Sequence, residues 1–380
     1  MYSADIARFV SVTRQLHPTT YKYSSQITRK RQNKEMTVYI IHENDAWLPP
    51  FRKAFESLQL PFVEWNLSEA HGYSLNKPPN HDAIYFNRIS PSSHTRNHRY
   101  SCEITRQLLE YLTLHSCRII NDQRALSLEL SKVQQYVELT KSDIRVPRTA
   151  FVGNASSLNS NDSTSKDKFV QILKQTAREN FFDESNQTWT PFITKHNRAG
   201  KGLGVHLFTD DQLLEKQFTD LSNDNDEEFS VDGIYLLQQY IKSPKQVINR
   251  AEFIGFQLMY VIEVDTRQGF QLCPSDACRK TADAKLVKQS ADEIKHGFNI
   301  RSTDSFTDNE KKVIEQLENF LRERKIEVAG IEWVDDGDHI YVYDVNCNTN
   351  YNVAAETRFF GEMYGTIRLG EYFQKQLRNE

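Results

Sequence analysis

Residues Ala329 to Asn346 read AGIEWVDDGDHIYVYDVN, two runs rich in β-branched and aromatic residues around the turn Asp335-Asp336-Gly337-Asp338. That pattern predicts strands from Glu327 to Val334 and from Ile340 to Val345, joined as a hairpin. Side chains alternate along a strand, so Asp344 and Asn346 share one face, and the paired strand supplies Glu332. Three oxygen donors then converge. Carboxylate and amide oxygens suit hard magnesium, which completes its octahedron with water and phosphate oxygens, better than they suit zinc. Taken alone, the same residues also read as an ordinary polar hairpin face.

Upstream, Pro191 to Phe208 reads PFITKHNRAGKGLGVHLF, where Lys195 closes an apolar run and Gly200, Gly202 and Gly204 follow. Glycines let backbone approach phosphate oxygens, and a lysine at a strand end can neutralise them. The spacing is neither G-x-x-x-x-G-K-[ST] nor a G-x-G-x-x-G turn into a helix, which disfavours a P-loop and a dinucleotide fingerprint. A plain glycine-rich hairpin is the alternative. Gln238, Gln239, Tyr240 and Ile241 lie where an apolar strand runs into a polar turn; such a backbone can pair with an adenine edge or simply belong to a core. Arg250, within NRAEFIG, is either a fixed cation for a phosphoryl group or oxyanion, or a surface ion-pair partner.

Ahead of these motifs, strands from Thr37 to His42, Pro61 to Leu67, Asp82 to Ile89 and Arg118 to Asn121 alternate with helices near Leu48 to Leu58 and Tyr100 to His115. Alternation of that kind predicts a small parallel α/β lobe. A helix from Leu126 to Lys141 follows and ends before Pro147. Residues 154–168 form a serine- and asparagine-rich stretch with little to bury, predicted as a mobile loop, and Asp220 to Glu228 reads as a solvated acidic loop. Beyond it, strands from Tyr235 to Tyr240, Ala251 to Ile254, Gln257 to Val264 and Phe270 to Cys273 are separated by short turns, hence an antiparallel sheet. Lys311 to Arg324 is predicted as an amphipathic helix.

The 380 residues exceed one ordinary core and predict two or three lobes. A net charge of -4 supplies no overall basic field, so nucleic acid is not an expected partner. Five cysteines, with no C-x-x-C pair, fit neither a structural zinc site nor a secreted disulfide framework. No apolar run reaches the length of a membrane span, so no membrane partner is expected either. Residues 1–36 are basic and rich in serine and threonine, a composition shared by solvated extensions and organelle transit peptides. The expected location is cytoplasmic, with organelle targeting as the alternative.

The order of these motifs resembles the RimK-like ATP-grasp carboxylate-amine ligases, from roughly Asn121 to the C-terminus, and the stretches Asn87 to Ser92, Cys273 to Cys278 and Asp344 to Tyr351 resemble a less characterised branch of that group. The resemblance implies a mixed α/β and α+β fold: a pre-ATP-grasp parallel α/β domain over 37–125 and a two-lobed ATP-grasp domain over 126–380, after a flexible extension over 1–36. It also implies ATP and Mg2+, with Mn2+ as an alternative ion. Glu332, Asp344 and Asn346 then match the metal residues. Lys195 and the earlier Lys132 match the phosphate lysines, with Gly200, Gly202 and Gly204 in the glycine loop. Gln238, Gln239, Tyr240 and Ile241 match the adenine segment, and Arg250 matches the arginine that, with Lys195, takes part in catalysis. Two positions depart from the pattern: Gln239 replaces an acid, and Ile248 stands where an aspartate often contacts ribose.

The implied reaction joins a small-molecule carboxylate, an amino acid or short peptide, to an amine through an acylphosphate. A phosphotransferase using the same grasp and an inactive nucleotide-binding module are the rival readings, and a homodimer is left open. The run His94 to Arg99 reads as a solvated loop or as a site for an anionic substrate at the lobe junction. Cys347 follows the metal residues but should face the other way.

Overall fold

In the computed structural model the described residues are 36–154, 163–200, 202–220, 229–267 and 298–378. The N-terminal extension up to residue 35, residues 155–162 of the polar stretch, residues 221–228 of the acidic stretch, the strand expected from Phe270 to Cys273 and the segment Cys273 to Cys278 lie outside the described residues.

Four apolar strands build the first sheet: β1 (Thr37–His42), β2 (Phe62–Asn66), β3 (Ala83–Asn87) and β4 (Arg118–Ile120). They run parallel in the order β2-β1-β3-β4. Parallel neighbours need crossovers, supplied here in part by α1 (Pro49–Ser57) and α2 (Ser101–Leu114). Prolines at the first positions of α1 start it without losing a needed N–H.

The single helix expected after β4 is two: α3 (Gln123–Glu129) and α4 (Lys132–Lys141). Ser131 breaks the run. Its backbone is extended (φ -144°, ψ 103°) and its hydroxyl accepts from Gln134 N as the cap of α4. The break makes Lys132 the first residue of a new helix.

The second sheet contains β5 (Thr149–Val152), β8 (Phe192–His196), β9 (His206–Phe208) and β10 (Tyr235–Gln239), antiparallel in the order β5-β10-β8-β9. A short ladder, β6 (Phe182–Asp183) with β7 (Thr188–Trp189), lies between β5 and β8 in sequence. Helices α5 (Ser163–Phe181) and α6 (Asp211–Asp220) cover this lobe. Helix α5 corrects the expectation of a loop through residue 168. Its polar first turn hides a buried stripe formed by Phe169, Leu173, Ala177 and Phe181, and that stripe holds the helix on the sheet.

The third sheet joins β11 (Val247–Ile254), β12 (Gln257–Asp265), β13 (Phe298–Arg301), β14 (Val328–Asp335) and β15 (Ile340–Asn346). It is antiparallel, as the turn pattern predicted, in the order β13-β12-β11-β14-β15, but the strand expected from Tyr235 to Tyr240 pairs in the second sheet instead. Strand β11 starts four residues before the apolar run because Asn249 and Arg250, though polar, are buried within the ladder. One face packs on α7 (Asp308–Arg324), where Leu317, Phe320 and Leu321 meet Ile331, Trp333 and Val342. The chain ends with α8 (Val353–Phe359) and α9 (Tyr364–Arg378). No described helix is long and apolar enough to cross a membrane.

Helix α9 returns to the first sheet, while also meeting β11 of the third. Phe373 is fully buried there, with its ring centroid 5.0 Å from Phe86 and 5.9 Å from Phe55. Truncating a buried phenylalanine removes its transfer energy and leaves a cavity. Phe373→Ala is therefore expected to destabilise the protein by about 3–5 kcal/mol, measured by urea unfolding.

The start of α7 is a capping box between Thr307 and Glu310, and Arg301 also donates to Glu310. Burial pushes the Glu310 carboxyl up, but the Arg301 and Thr307 hydrogen bonds outweigh it and hold the group below its ordinary value of 4.5. In acid the unfolded chain therefore takes up this proton first. The stability from this group is present above the unfolded value and is lost as pH falls through the lower folded one. Glu310→Gln is expected to flatten the acid side of the stability profile below about pH 4.5, read from urea midpoints against pH.

Candidate active site

The hairpin of β14 and β15 pairs Glu332 directly with Asp344 and Gly330 with Asn346, while β11 sets Arg250 beside Glu332 and Glu252 beside Gly330. Directly opposed residues share a face, and so do positions two apart. Two polar rows thus cross three strands: Arg250, Glu332, Asp344, and Glu252, Gly330, Asn346. The opposite face carries Ala251, Ile331 and Val345 into the core under α7. Between Glu332 and Trp333 the register slips, leaving Tyr343 as an extra residue in β15. That bulge turns both Tyr343 and Asp344 toward one cleft.

Arg250 is buried and held by three hydrogen bonds. Its Nε donates to Glu252 Oε1 at 2.6 Å, Nη1 to Glu332 Oε1 at 2.6 Å and Nη2 to Thr349 Oγ1 at 2.7 Å. The guanidinium lies across Gly330: a Cβ there would come within 2.3 Å of Nη2 and 2.7 Å of Cζ. Glycine is needed at this place for close approach rather than for a turn. Thr349 completes the array by donating to Glu252 Oε2 at 2.7 Å.

Two lysines from other elements enter the same space. Lys132, at the start of α4, donates to Asp344 Oδ1. Lys195, at the end of β8, donates to Tyr136 Oη at 2.8 Å and to the Tyr343 carbonyl at 3.3 Å. Burial pushes the Lys195 ammonium below its ordinary value, against the attraction of Asp344 and Glu332. Burial also pushes the carboxyls up. For Glu332 burial prevails over Arg250, whereas for Asp344 the cations Lys132 and Lys195 prevail and hold it below the ordinary aspartate value. Asp344 is therefore the firmly ionised member of the pair.

These elements enclose a cleft of about 240 Å³. Of the residues expected at the site, Lys132, Lys195, Gly200, Gly202, Gln238, Gln239, Tyr240, Ile241, Arg250, Glu332, Asp344 and Asn346 all line it. Among the described residues no three His, Cys, Asp or Glu side chains gather as a metal cluster. The donors here are instead two carboxylates and one amide, a hard-oxygen set that fits magnesium sharing its shell with phosphates and water.

No family model matches the chain, and no curated protein matches it. Solved structures do. The D-Ala:D-Ser ligase VanG from Enterococcus faecalis superposes with a TM-score of 0.57 at 12% identity, over 91% of this chain and 99% of that one. The ATP-grasp ligase PsnB, complexed with a phosphomimetic variant of its minimal precursor, Mg and ADP, gives 0.56 at 10% identity, over 90% and 99%. A RimK domain ATP-grasp protein from Sphaerobacter thermophilus gives 0.52 at 12% identity, over 88% and 98%. The chain has the ATP-grasp fold.

The cleft of this ATP-grasp fold departs from the sequence reading in three ways. Gly204 does not line it; with φ +66° it packs beneath His196, whose ring would lie 2.3 Å from a Cβ, so its role is close packing. The anion-site alternative for His94 to Arg99 loses two of its groups, because Arg96 donates to buried Glu43 at 2.7 Å and His98 contacts the same carboxylate at 3.1 Å. The sequence reading gave no cleft role to the wall residues Trp47, Ser90, Ser92, Glu129, Asn348 and Asn350, although Ser90, Ser92, Asn348 and Asn350 lie in stretches that carried the resemblance. Burial pushes Glu129 up to about 7, although the Cys347 N–H donates to it. Only its place between α3 and the end of β15 marks Glu129; no local motif does. Cys347 itself is buried and lies outside the lining, on the side that alternation assigned to it.

Proposed function

We propose that this ATP-grasp chain is an ATP- and magnesium-dependent carboxylate-amine ligase of the RimK-like kind, acting on an amino acid or small peptidic carboxylate through an acylphosphate. The observation that carries the proposal is the convergence of Lys132, Lys195, Arg250, Glu332, Asp344 and Asn346 in one cleft, beside the strand end Gln238–Ile241. Polyphosphate in a partly buried site needs several fixed cations and a divalent ion. The relatives named above supply the precedent for a ligase, PsnB having been solved with Mg and ADP.

In this reading Gln238–Ile241, with Ile193 and Ile248, receive the base; an apolar Ile248 leaves ribose without a carboxylate partner. Glu332, Asp344 and Asn346 hold magnesium, which when bound disperses phosphate charge. Lys195 and Lys132 orient the phosphates, and Lys132 can exchange its hold on Asp344 for a phosphate oxygen. The substrate carboxylate attacks the γ-phosphorus in line, ADP leaves, and the acylphosphate forms. Arg250, held rigid by Glu252, Glu332 and Thr349, steadies the oxyanion when the amine attacks the acyl carbon. Phosphate then leaves, the nitrogen gives up its proton, and an amide remains.

The deciding experiment follows ADP and phosphate formation with Mg2+, pooled carboxylates and pooled amines, with products read by mass. The ligase reading expects phosphate release that needs both substrate pools and a product lighter by water than their sum. A phosphorylated hydroxyl compound would make the chain a phosphotransferase. Nucleotide binding without turnover in any pool would make it a binding module.

A further inference from the structure

Asn348 stands at the cleft wall, 9% exposed, and neither Oδ1 nor Nδ2 of its carboxamide has a hydrogen-bond partner or contact with solvent. Leaving a buried polar group unpaired is unfavourable, so a fold that holds one at a cleft needs a reason. The loop around it is rigid. Arg88, 2% exposed and stacked 4.3 Å from the Phe51 ring centroid, donates to the Thr349 carbonyl at 2.8 Å and to Asn350 Oδ1 at 2.6 Å. Thr349 is further pinned between Arg250 and Glu252. The orphaned carboxamide is thus presented by its neighbours rather than left slack.

The cleft wall includes the neutral side chains Trp47, Ser90 and Ser92 as well as the buried acid Glu129. Ser90 and Ser92, two and four residues past Arg88, have hydroxyls 2.9 Å apart. Arg88 is committed to the loop and Arg96 to Glu43. A carboxamide offers one donor and one acceptor side by side. An amide group of a ligand satisfies both; a second carboxylate satisfies only Nδ2 and faces Oδ1, and an ammonium does the reverse.

We infer that Asn348 is a specificity-determining residue that reads an uncharged amide group of the substrate through a two-point hydrogen bond, against the neutral side chains of Trp47, Ser90 and Ser92. The inference rests on the ligase reading for the neighbouring reaction centre and adds the chemistry of what is bound beside it. A side-chain carboxamide presents donor and acceptor on one side, and so do the N–H and C=O of one extended peptide residue, whereas a single trans peptide unit points them apart; the test separates the two sources.

Wild type, Asn348→Leu and Asn348→Asp full-length proteins are compared in ADP formation with Mg-ATP, an amine pool and three carboxylate sets: unblocked dipeptides, glutamine with asparagine, and glutamate with aspartate. Either of the first two sets is expected to outperform the third, and which one does so identifies the source of the amide. Asn348→Leu is expected to lower kcat/KM for that set by about 30-fold, chiefly through KM, because its amide loses both partners. ADP affinity, read with a fluorescent analogue, is expected to stay within about twofold. Binding of the same sets to AMPPNP- and magnesium-loaded protein, followed by saturation-transfer NMR, reads the subsite without turnover. Binding lost in Asn348→Leu supports the inference even if no set turns over, in which case only the ligase reading fails. Equal kcat/KM and binding in all three proteins, a wild-type preference for the dicarboxylates, or absence of binding by every set overturns it.

Discussion

Asp344→Asn lowers magnesium-dependent ADP formation by about 1,000-fold, the size of effect seen when a charge-stabilising group is removed from a preorganised site. The change is nearly isosteric, and the amide oxygen can still accept from Lys132, so the hairpin and α4 keep their connection. What disappears is the negative charge that Lys132 and Lys195 hold ionised beside Glu332. The proposed magnesium set then loses its firmest anionic ligand, since burial pushes the other carboxyl, Glu332, toward its neutral form. Steady-state rates across a magnesium titration check this outcome. The required magnesium concentration rises along with the loss of rate, while the thermal midpoint moves little. Activity within tenfold of wild type at unchanged magnesium dependence would remove Asp344 from the metal site.

Gly330→Ala produces the second large effect, through Arg250. An added Cβ would lie 2.3 Å from Nη2 of Arg250 and 2.8 Å from the Thr349 hydroxyl, closer than real Cβ contacts allow. The guanidinium must lift away, abandoning part of its three-way hold on Glu252, Glu332 and Thr349. A displaced oxyanion donor is expected to reduce kcat by about 100- to 1,000-fold. Breaking part of a buried ion network is expected to reduce stability by about 2–4 kcal/mol. Gly330 does not have positive φ, so the cause is steric and not backbone strain. Titration with labelled ADP separates the causes: nucleotide affinity changes far less than kcat, because the adenine-side strand β10 is untouched. A variant with normal kcat would show that Arg250 does not act on the reacting atoms.

Much of the architecture was legible in the residues. Strand β1 has the expected limits, and most of the other elements that the sequence marked fall within one to three residues of their apolar runs, whereas β5, β6, β7, β13, α6, α8 and α9 carried no such mark. The hairpin reading placed Glu332 against Asp344, and the structure pairs them in register. Alternation is a local property of an extended chain, so a single segment can reveal which residues share a face. The polar stretch before Phe169 misled because its first turn carries no apolar residue, while the stripe that holds α5 begins only beyond it. Ser131 was hidden for another reason: a cap is a hydrogen bond between neighbours, and Ser-Lys-Val-Gln also occurs within continuous helices.

By itself the sequence determined which residue types stand at which spacing: the Glu332, Asp344 and Asn346 face, the lysine before the glycine loop, and the arginine just ahead of an apolar run. Local patterning is enough for that, because each of those relations spans a few residues or one hairpin. Only the tertiary structure decided that Lys132 meets Asp344, that Gly330 exists to admit Arg250, that Arg96 is neutralised by Glu43, and that α9 packs on the first sheet. It also brought Trp47, Ser90 and Asn348 to one wall. Those contacts join segments tens to hundreds of residues apart, and they depend on sheet order, a bulge and burial together. Such quantities arise from the packing of whole lobes against one another, and no single stretch of the chain carries them.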